Sequence, residues 1–405
     1  MHIYIVSLSV FLSVVLLLVL ALLVVESQVV QKGDRKIVIN DDPEKTLPVS
    51  PGRTLLSALA DKGIYLASAC GGKGSCAMCK CRVDEGARGI LPTEMPHLTR
   101  AEKQQNVRLA CQVKVKEDLK IRIPPEIFNI KKYTATVVSN ENVATFIKEL
   151  VLGPDGNERI DFNSGQYIQI DIPEYELEYE KIDVNKRFRS VWDKFGLWGL
   201  HAQAEEPVFR AYSMANTPEE DHLKFTVRIA TPPPGSDVPP GIASSYLFGL
   251  KAQDKVTLGG PYGEFLVKET DREMCFVGGG AGMAPMRSHI FTQLLIKKTR
   301  RKMTFWYGAR SKSEMFYDAE FQELAQNFEN FSYYVALSDP MPEDNWEGLT
   351  GYIHQAAYDH YLSKHKDPAE IEYYLCGPPP MIAAVNEMLD SLGVEPEMIA
   401  YDDFG

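Results

Sequence analysis

Basic residues are outnumbered in this sequence. Lys and Arg number 43 against 55 Asp and Glu, a net charge of −12 at pH 7. An acidic surface of that size is repelled by phosphate backbones, which excludes nucleic acid as a partner. Cysteine is scarce and odd in number, seven in all, so no disulfide framework uses every thiol and a reducing compartment is expected. Charge is absent from Ile3 to Val25, a run of 23 residues made almost wholly of Ile, Val, Leu, Phe, Ala and Ser. No Lys or Arg precedes that run and no A-x-A site follows it. The run also exceeds the roughly 7 to 15 apolar residues of a secretory signal, which sets the signal-peptide alternative below a retained anchor. At 1.5 Å per residue it crosses a hydrocarbon core of about 30 Å. Lys32, Arg35 and Lys36 follow directly, so the positive-inside bias puts the remainder of the chain on the cytoplasmic side. An uncharged helix has no polar path for an ion, and its expected role is to anchor or to pack on other membrane subunits.

What is present is a globular composition, 405 residues with 24% charged, long enough for two or three domains with cores of their own. The most informative stretch is the run C-G-G-K-G-S-C-A-M-C, with Cys70, Cys76 and Cys79, followed after a long gap by Cys111. Three thiolates on one tight loop and a fourth from elsewhere are what cages a [2Fe-2S] cluster, because soft sulfurs must reach both irons. Gly71, Gly72 and Gly74 let such a loop turn through positive φ and bring N–H groups toward the sulfides. Structural zinc is the alternative. It usually takes two C-x2-C pairs or closely spaced histidines, and here only Cys76 and Cys79 are so spaced. Cys81, two residues on, is expected to point to the opposite face of a departing strand as a buried thiol.

From Lys36 to about Glu126 the pattern is strand, helix, cysteine loop and strands. Lys36–Asn40 and Leu119–Ile123 alternate, Leu55–Lys62 is amphipathic, and Pro124 and Pro125 close the segment. This segment resembles the plant-type ferredoxins, whose β-grasp fold is therefore expected, although its first cysteine gap holds five residues where that pattern has four. Tyr133–Ser139, Ile147–Leu152 and Gln166–Ile172 then read as short strands of a small antiparallel barrel.

Arg210-Ala211-Tyr212-Ser213 is similar to the R-x-Y-S signature of the ferredoxin–NADP reductase family, where it binds flavin. Arg210 suits a pyrophosphate, Tyr212 a flavin ring and ribityl chain, and Ser213 the flavin N5 edge. Gly241-Ile242-Ala243-Ser244 resembles the same family's second phosphate turn, opening a helix at Ser245 to Phe248. Pro261-Tyr262-Gly263-Glu264-Phe265 resembles its barrel closure. Three signals in the right order make FAD the expected cofactor.

From Met274 strands and helices alternate as in a doubly wound α/β unit. Cys275–Val277 is a buried strand, and the glycine turn with Gly278, Gly279, Gly280 and Gly282 leads into a helix through Leu295, a turn suited to a diphosphate. Thr304–Gly308, Phe331–Leu337 and Tyr373–Cys376 are further strands. The last runs into Cys376-Gly377-Pro378, which resembles the C-G-P motif of the reductase family. That resemblance implies that Cys376 and Gly377 sit where nicotinamide meets flavin, with Ser213 and Cys376 in positioning roles. For Cys275 a buried thiol is expected. NADH rather than NADPH is expected, because Arg310 and Lys312 are diluted by Glu314 and Asp318 where a 2′-phosphate reader would stand. An aromatic near the C-terminus covers the flavin in that family. Phe404 is the candidate, while Tyr401 is expected to pack on the last strand.

The chain therefore reads as multidomain: an N-terminal transmembrane helix at 1–26, an α+β β-grasp ferredoxin at 33–126, an all-β antiparallel flavin-binding barrel at 130–270, and an α/β doubly wound nucleotide-binding domain at 271–405. Over its whole length it resembles the F subunits of bacterial sodium-translocating NADH:quinone oxidoreductases. The resemblance implies an inner-membrane electron-input subunit that takes a hydride from NADH and passes single electrons through the cluster to membrane partners, with quinone the final acceptor. Reductase components of multicomponent oxygenases combine the same modules and are the alternative, as is a membrane-tethered redox carrier. The stretch Glu174–Pro207, carrying Phe188, Trp192, Phe195, Leu197 and Trp198, is either a flap on its own barrel or a docking surface for partners.

Overall fold

In the computed structural model of the chain, residues 11–20, 33–157, 159–233 and 235–403 are described. Of the expected anchor, only 11–20 fall within this set, a helix of exposed residues. Among the described residues no helix is long and apolar enough to cross a membrane. The rest of Ile3–Val25 lies outside the described residues. By its contacts the chain divides into two units, 1–62 with 80–124, and 63–79 with 125–405.

The first unit is built on a five-stranded mixed sheet in the order Asp42–Val49, Arg35–Ile39, Leu119–Arg122, Lys80–Glu85, Val107–Leu109. Arg35–Ile39 runs parallel to Leu119–Arg122 and antiparallel to Asp42–Val49. Alternation puts Ile37, Ile39, Leu119 and Ile121 inside. The helix Leu55–Ala60 buries Leu55, Leu56, Ala58 and Leu59. It starts where it does because the Thr54 side chain accepts from the Ser57 amide at 3.2 Å. A second short helix, Arg100–Gln104, has a full capping box made by Thr99 and Glu102. Glu94, wholly buried, is paired with Arg108, also buried, at 2.6 Å.

In the second unit, six antiparallel strands run in the order Val208–Ser213, Tyr167–Ile172, Lys255–Tyr262, Lys131–Ala144, Ile147–Pro154, Leu223–Arg228. A bridge between Met214 and Phe225 links the two ends, which makes the sheet a barrel. Lys131–Ala144, at 14 residues, is twice the strand expected there. Register shifts between Val137 and Ser139 and between Asn142 and Ala144 let it bend and stay paired beyond the point where alternation ends.

The stretch before Arg210 is not a loose loop. Tyr175–Glu178 and His201–Ala204 pair as an antiparallel hairpin, and between them Lys186–Lys194 is a helix capped by Asn185. Phe188, Trp192 and Leu197 sink into the barrel's core, leaving Phe195 as the exposed aromatic at 44%. Of the two readings of this stretch, the packing matches the flap.

The remaining sheet is wholly parallel, ordered Leu349–Thr350, Phe331–Leu337, Met303–Ala309, Met274–Gly279, Glu372–Gly377, Ile399–Asp403. Met274, Phe276, Phe305 and Tyr307 face one apolar layer, Cys275, Val277 and Trp306 the other, so both faces are covered. The chain leaves Met274–Gly279 in one direction, then returns to its other side with Glu372–Gly377. That is a topological switch point, where open α/β sheets bind ligands at the strands' carboxyl ends.

Candidate active site

The two strands that flank the switch point end in the motifs singled out in the sequence. Gly282, just after the turn from Met274–Gly279, lies so close to Glu372–Gly377 that a Cβ there would fall 2.8 Å from the Gly377 nitrogen and nearer still to the Cys376 carbonyl. Gly279 and Gly377 both face Met381, where a Cβ would come within 2.8 Å and 2.6 Å of its side chain. Gly280 turns the backbone at φ 55°. The expected helix through Leu295 is Met283–Phe291, continued by a wider turn over Thr292–Ile296. The barrel secures this turn from its side, since the Thr226 hydroxyl donates to the Ala281 carbonyl at 2.9 Å. Arg287, buried in the same helix, reaches the Ala215 carbonyl at 2.9 Å and Glu320 at 2.8 Å.

Ser213, 5% exposed at the end of its barrel strand, donates to the Asp402 carboxylate at 2.9 Å. Asp402 is in register with the fully buried Cys376 on the neighbouring parallel strand. The fold thus brings Ser213, Cys376, Gly377 and the glycine turn to one edge. Asp402 joins them without any sequence signal, because only the pairing of the last strand carries it there. Tyr401 corrects an expectation. It is on the last strand, Ile399–Asp403, yet 56% exposed rather than packed, because that strand is the sheet's edge. Phe404 lies outside the described residues.

Arg210 is half-buried, and its Nη1 donates to the carbonyl of its neighbour Phe209 at 2.7 Å; among the described residues it forms no ion pair. A guanidinium held without a carboxylate is suited to an anion. Tyr212 packs on the barrel core. The helix Ile242–Gly249 has Gly241 at its N-cap with no side chain capping it, so its first N–H groups remain for an oxyanion. Ser244 does not cap; its hydroxyl accepts from the Ala230 amide at 3.0 Å and donates back to Gly241 at 3.2 Å. A Cβ at Gly241 would be 2.7 Å from Ala230 Cβ, which explains glycine at that position. This set fits FAD: a cation and open helix amides for a pyrophosphate, with an aromatic one residue from a hydroxyl for the ring.

Gly71, Gly72 and Gly74 have φ of 66°, 85° and 85°, and Ala77 joins them at 56°. The loop therefore winds left-handed as expected, with Cys70 and Cys76 sulfurs 3.4 Å apart. The Cys76 thiol and the amides of Cys76, Ser75 and Gly74 hold Cys70 well below the ordinary thiol value, against the effect of burial. Amides aimed at sulfur fit an iron–sulfur cradle. Cys79 is buried on the same segment, and Cys111 is buried in the other unit. None of the seven cysteines is in a disulfide, and among the described residues no group of three or more ligating side chains is gathered for a metal ion. Cys81 and Cys275 are buried thiols as expected, burial pushing both up to about 12. Arg310 is paired with Asp339 at 3.1 Å, and the Lys312 amide donates to Asp344 at 3.0 Å. Acids thus offset the positive field a 2′-phosphate would need.

Three domain families match the chain: a 2Fe-2S iron-sulfur cluster binding domain over 38–116, an oxidoreductase FAD-binding domain over 198–266, and an oxidoreductase NAD-binding domain over 276–387. Among curated proteins, the F subunit of the Na(+)-translocating NADH-quinone reductase of Haemophilus ducreyi is 54% identical over 98% of this chain and 97% of its own. That of Mannheimia succiniciproducens is 51% identical over 99% of each. Among solved structures, the Amycolatopsis cytochrome P450 reductase GcoB covers 91% of this chain and 98% of its own, with a TM-score of 0.63 at 24% identity. The ferredoxin reductase in carbazole 1,9a-dioxygenase covers 92% and 98%, with a TM-score of 0.60 at 24% identity. At that identity the two structures bear on the fold alone.

Proposed function

Because this chain belongs to the family of F subunits of Na(+)-translocating NADH-quinone reductases, we propose that it is the membrane-anchored entry point for electrons in such a complex. It is an oxidoreductase that oxidises NADH with FAD and a [2Fe-2S] cluster as cofactors. When bound, FAD would take the two electrons of one hydride and release them singly, which is what a one-electron cluster requires.

The chain's own groups then have definable tasks. Arg210, Gly241 and the first amides of Ile242–Gly249 hold a pyrophosphate, Ser244 shapes that turn, and Tyr212 offers its ring. Gly279, Gly280 and Gly282 admit the diphosphate of NADH, and Cys376 with Gly377 seats its nicotinamide against the end of the strand carrying Ser213. Ser213, held by Asp402, keeps a hydroxyl aimed at that edge. Hydride transfer needs no acid or nucleophile, so orientation is the protein's contribution. Cys70, Cys76, Cys79 and Cys111 ligate the cluster. Ile3–Val25 anchors the chain once in the inner membrane with its soluble parts on the cytoplasmic side, where other subunits of the complex take its electrons toward quinone.

The observation that supports this reading most is the meeting of Gly282, Cys376, Gly377 and Asp402-bound Ser213 at the switch point of the parallel sheet. Stopped-flow mixing of the full-length protein with NADH should bleach the flavin first and the iron–sulfur absorption after it. Persistence of the oxidised flavin spectrum, or recovery of the chain from the soluble rather than the membrane fraction, would refute it.

A further inference from the structure

The stretch before Arg210 does more than cover the barrel. Its hairpin and helix lie along Ile242–Gly249, the helix whose free amino end is the proposed pyrophosphate turn. Tyr179, fully buried, is hydrogen-bonded to the Ser245 hydroxyl at 2.8 Å, and Ser245 in turn donates to the Gly241 carbonyl at 2.7 Å. Since the Ser245 proton is committed to Gly241, Tyr179 is the donor in the first bond, and its hydroxyl reaches the turn through one intermediary. Tyr175 donates to the Ile242 carbonyl at 2.5 Å and sets its ring 5.2 Å from that of Tyr246. Leu177 fills the space beside Gly249, where a Cβ would approach it to 2.8 Å. Trp192 stacks on Phe248 at 6.0 Å and 21°.

The carboxyl end of the same helix is held from the barrel. Asn140 Nδ2 donates to the carbonyls of Leu247 at 2.8 Å and Leu250 at 2.9 Å. Lys148 Nζ, on a residue 2% exposed, donates to the Phe248 carbonyl at 2.9 Å. A cation at the negative end of a helix is favourable, and a buried one strongly limits where that helix can sit. The helix is thus fixed at both ends while its first amides are left open.

We infer that residues 175–204 are a brace on the phosphate-turn helix, with Tyr175 and Tyr179 as positioning residues that set how tightly FAD is retained. This rests on the FAD site proposed above. Neither tyrosine belongs to that site: both act through Ser245, Gly241 and Ile242. The brace also explains why the stretch carries so many buried aromatics, since a short helix with a Gly at each end has little of its own to keep it in register.

The test is a comparison of full-length wild type, Tyr175→Phe, Tyr179→Phe, the double variant and Phe195→Ala. Substitution to Phe removes one hydroxyl and leaves the rings in place. The readouts are the FAD dissociation constant from the fluorescence of released flavin, the KM for NADH at saturating FAD, and iron content. Each hydroxyl lost should weaken FAD about fivefold and the double variant about 25-fold, by the usual worth of a buried hydrogen bond. KM for NADH and iron content should not move, and Phe195→Ala, on the exposed tip of the same stretch, should bind FAD as wild type does. Unchanged FAD affinity in the double variant overturns the brace. Equal weakening in Phe195→Ala does so too, because it would make the effect one of general stability. A wild-type protein that does not bind FAD would overturn the proposed function itself, whatever the variants do.

Discussion

Glu94→Gln isolates one buried charge pair close to a proposed cluster ligand. Glu94 is wholly buried and takes Arg108 at 2.9 Å and 2.6 Å, the Leu109 amide at 2.9 Å and the Leu91 amide at 2.8 Å. Leu109 stands two residues before Cys111, so the same carboxylate orients the approach to that thiol. Glutamine keeps the shape but turns one oxygen into a donor among donors, and it strands Arg108, itself 5% exposed. Leaving one partner of a buried pair costs about 3 to 5 kcal/mol. At about 4 to 8 °C per kcal/mol for a domain of this size, the melting midpoint should fall by at least about 12 °C. Heating the full-length variant while following iron–sulfur absorbance reads this directly, with flavin fluorescence as an internal control from the other unit. The pair also sets an acid limit. Burial opposes ionisation of Glu94, but Arg108 and the two amides outweigh it and hold the carboxyl below its ordinary value. Its folded pKa is depressed, so its stabilisation is full above the ordinary carboxylate value and is lost as pH falls through the folded one. A midpoint shift below about 4 °C would refute the reasoning, as would an unchanged acid limit.

Three further outcomes follow from other parts of the chain. Cys70→Ser should lose the iron–sulfur absorption and iron content while NADH still bleaches the flavin; full iron content would remove Cys70 from the ligand set. Gly282→Ala drives a Cβ into the Cys376 carbonyl, so KM for NADH should rise at least about tenfold while FAD content holds; an unchanged KM would show that the two turns can part freely. Burial pulls Lys148 down to about 8, with Asp183 and Glu141 pulling the other way. The unfolded lysine therefore carries a proton the folded one lacks between about pH 8 and its ordinary 10.5, and stability should rise with pH across that window. Lys148→Met should abolish that rise, by about 3 kcal/mol at one pKa unit per 1.36 kcal/mol; melts of the two proteins that stay parallel from pH 7.5 to 10.5 would contradict it.

The sequence determined the modules and most of their chemistry, because the groups concerned are local. A loop with three thiols and left-handed glycines, an Arg-x-Tyr-Ser strand and a glycine turn entering a helix each carry their meaning within ten residues. The strands Phe331–Leu337 and Glu372–Gly377 were legible for the same reason, being short apolar runs with clear punctuation. What the tertiary structure decided was everything that depends on which strand lies beside which. Asp402 meets Ser213 only because the last strand adds in register to the end of Glu372–Gly377. Tyr401 is exposed because that strand is an edge. The role of Tyr175, Tyr179 and Lys148 is invisible in composition or spacing, since a helix records in its own residues that it must be buried but not what holds it in place.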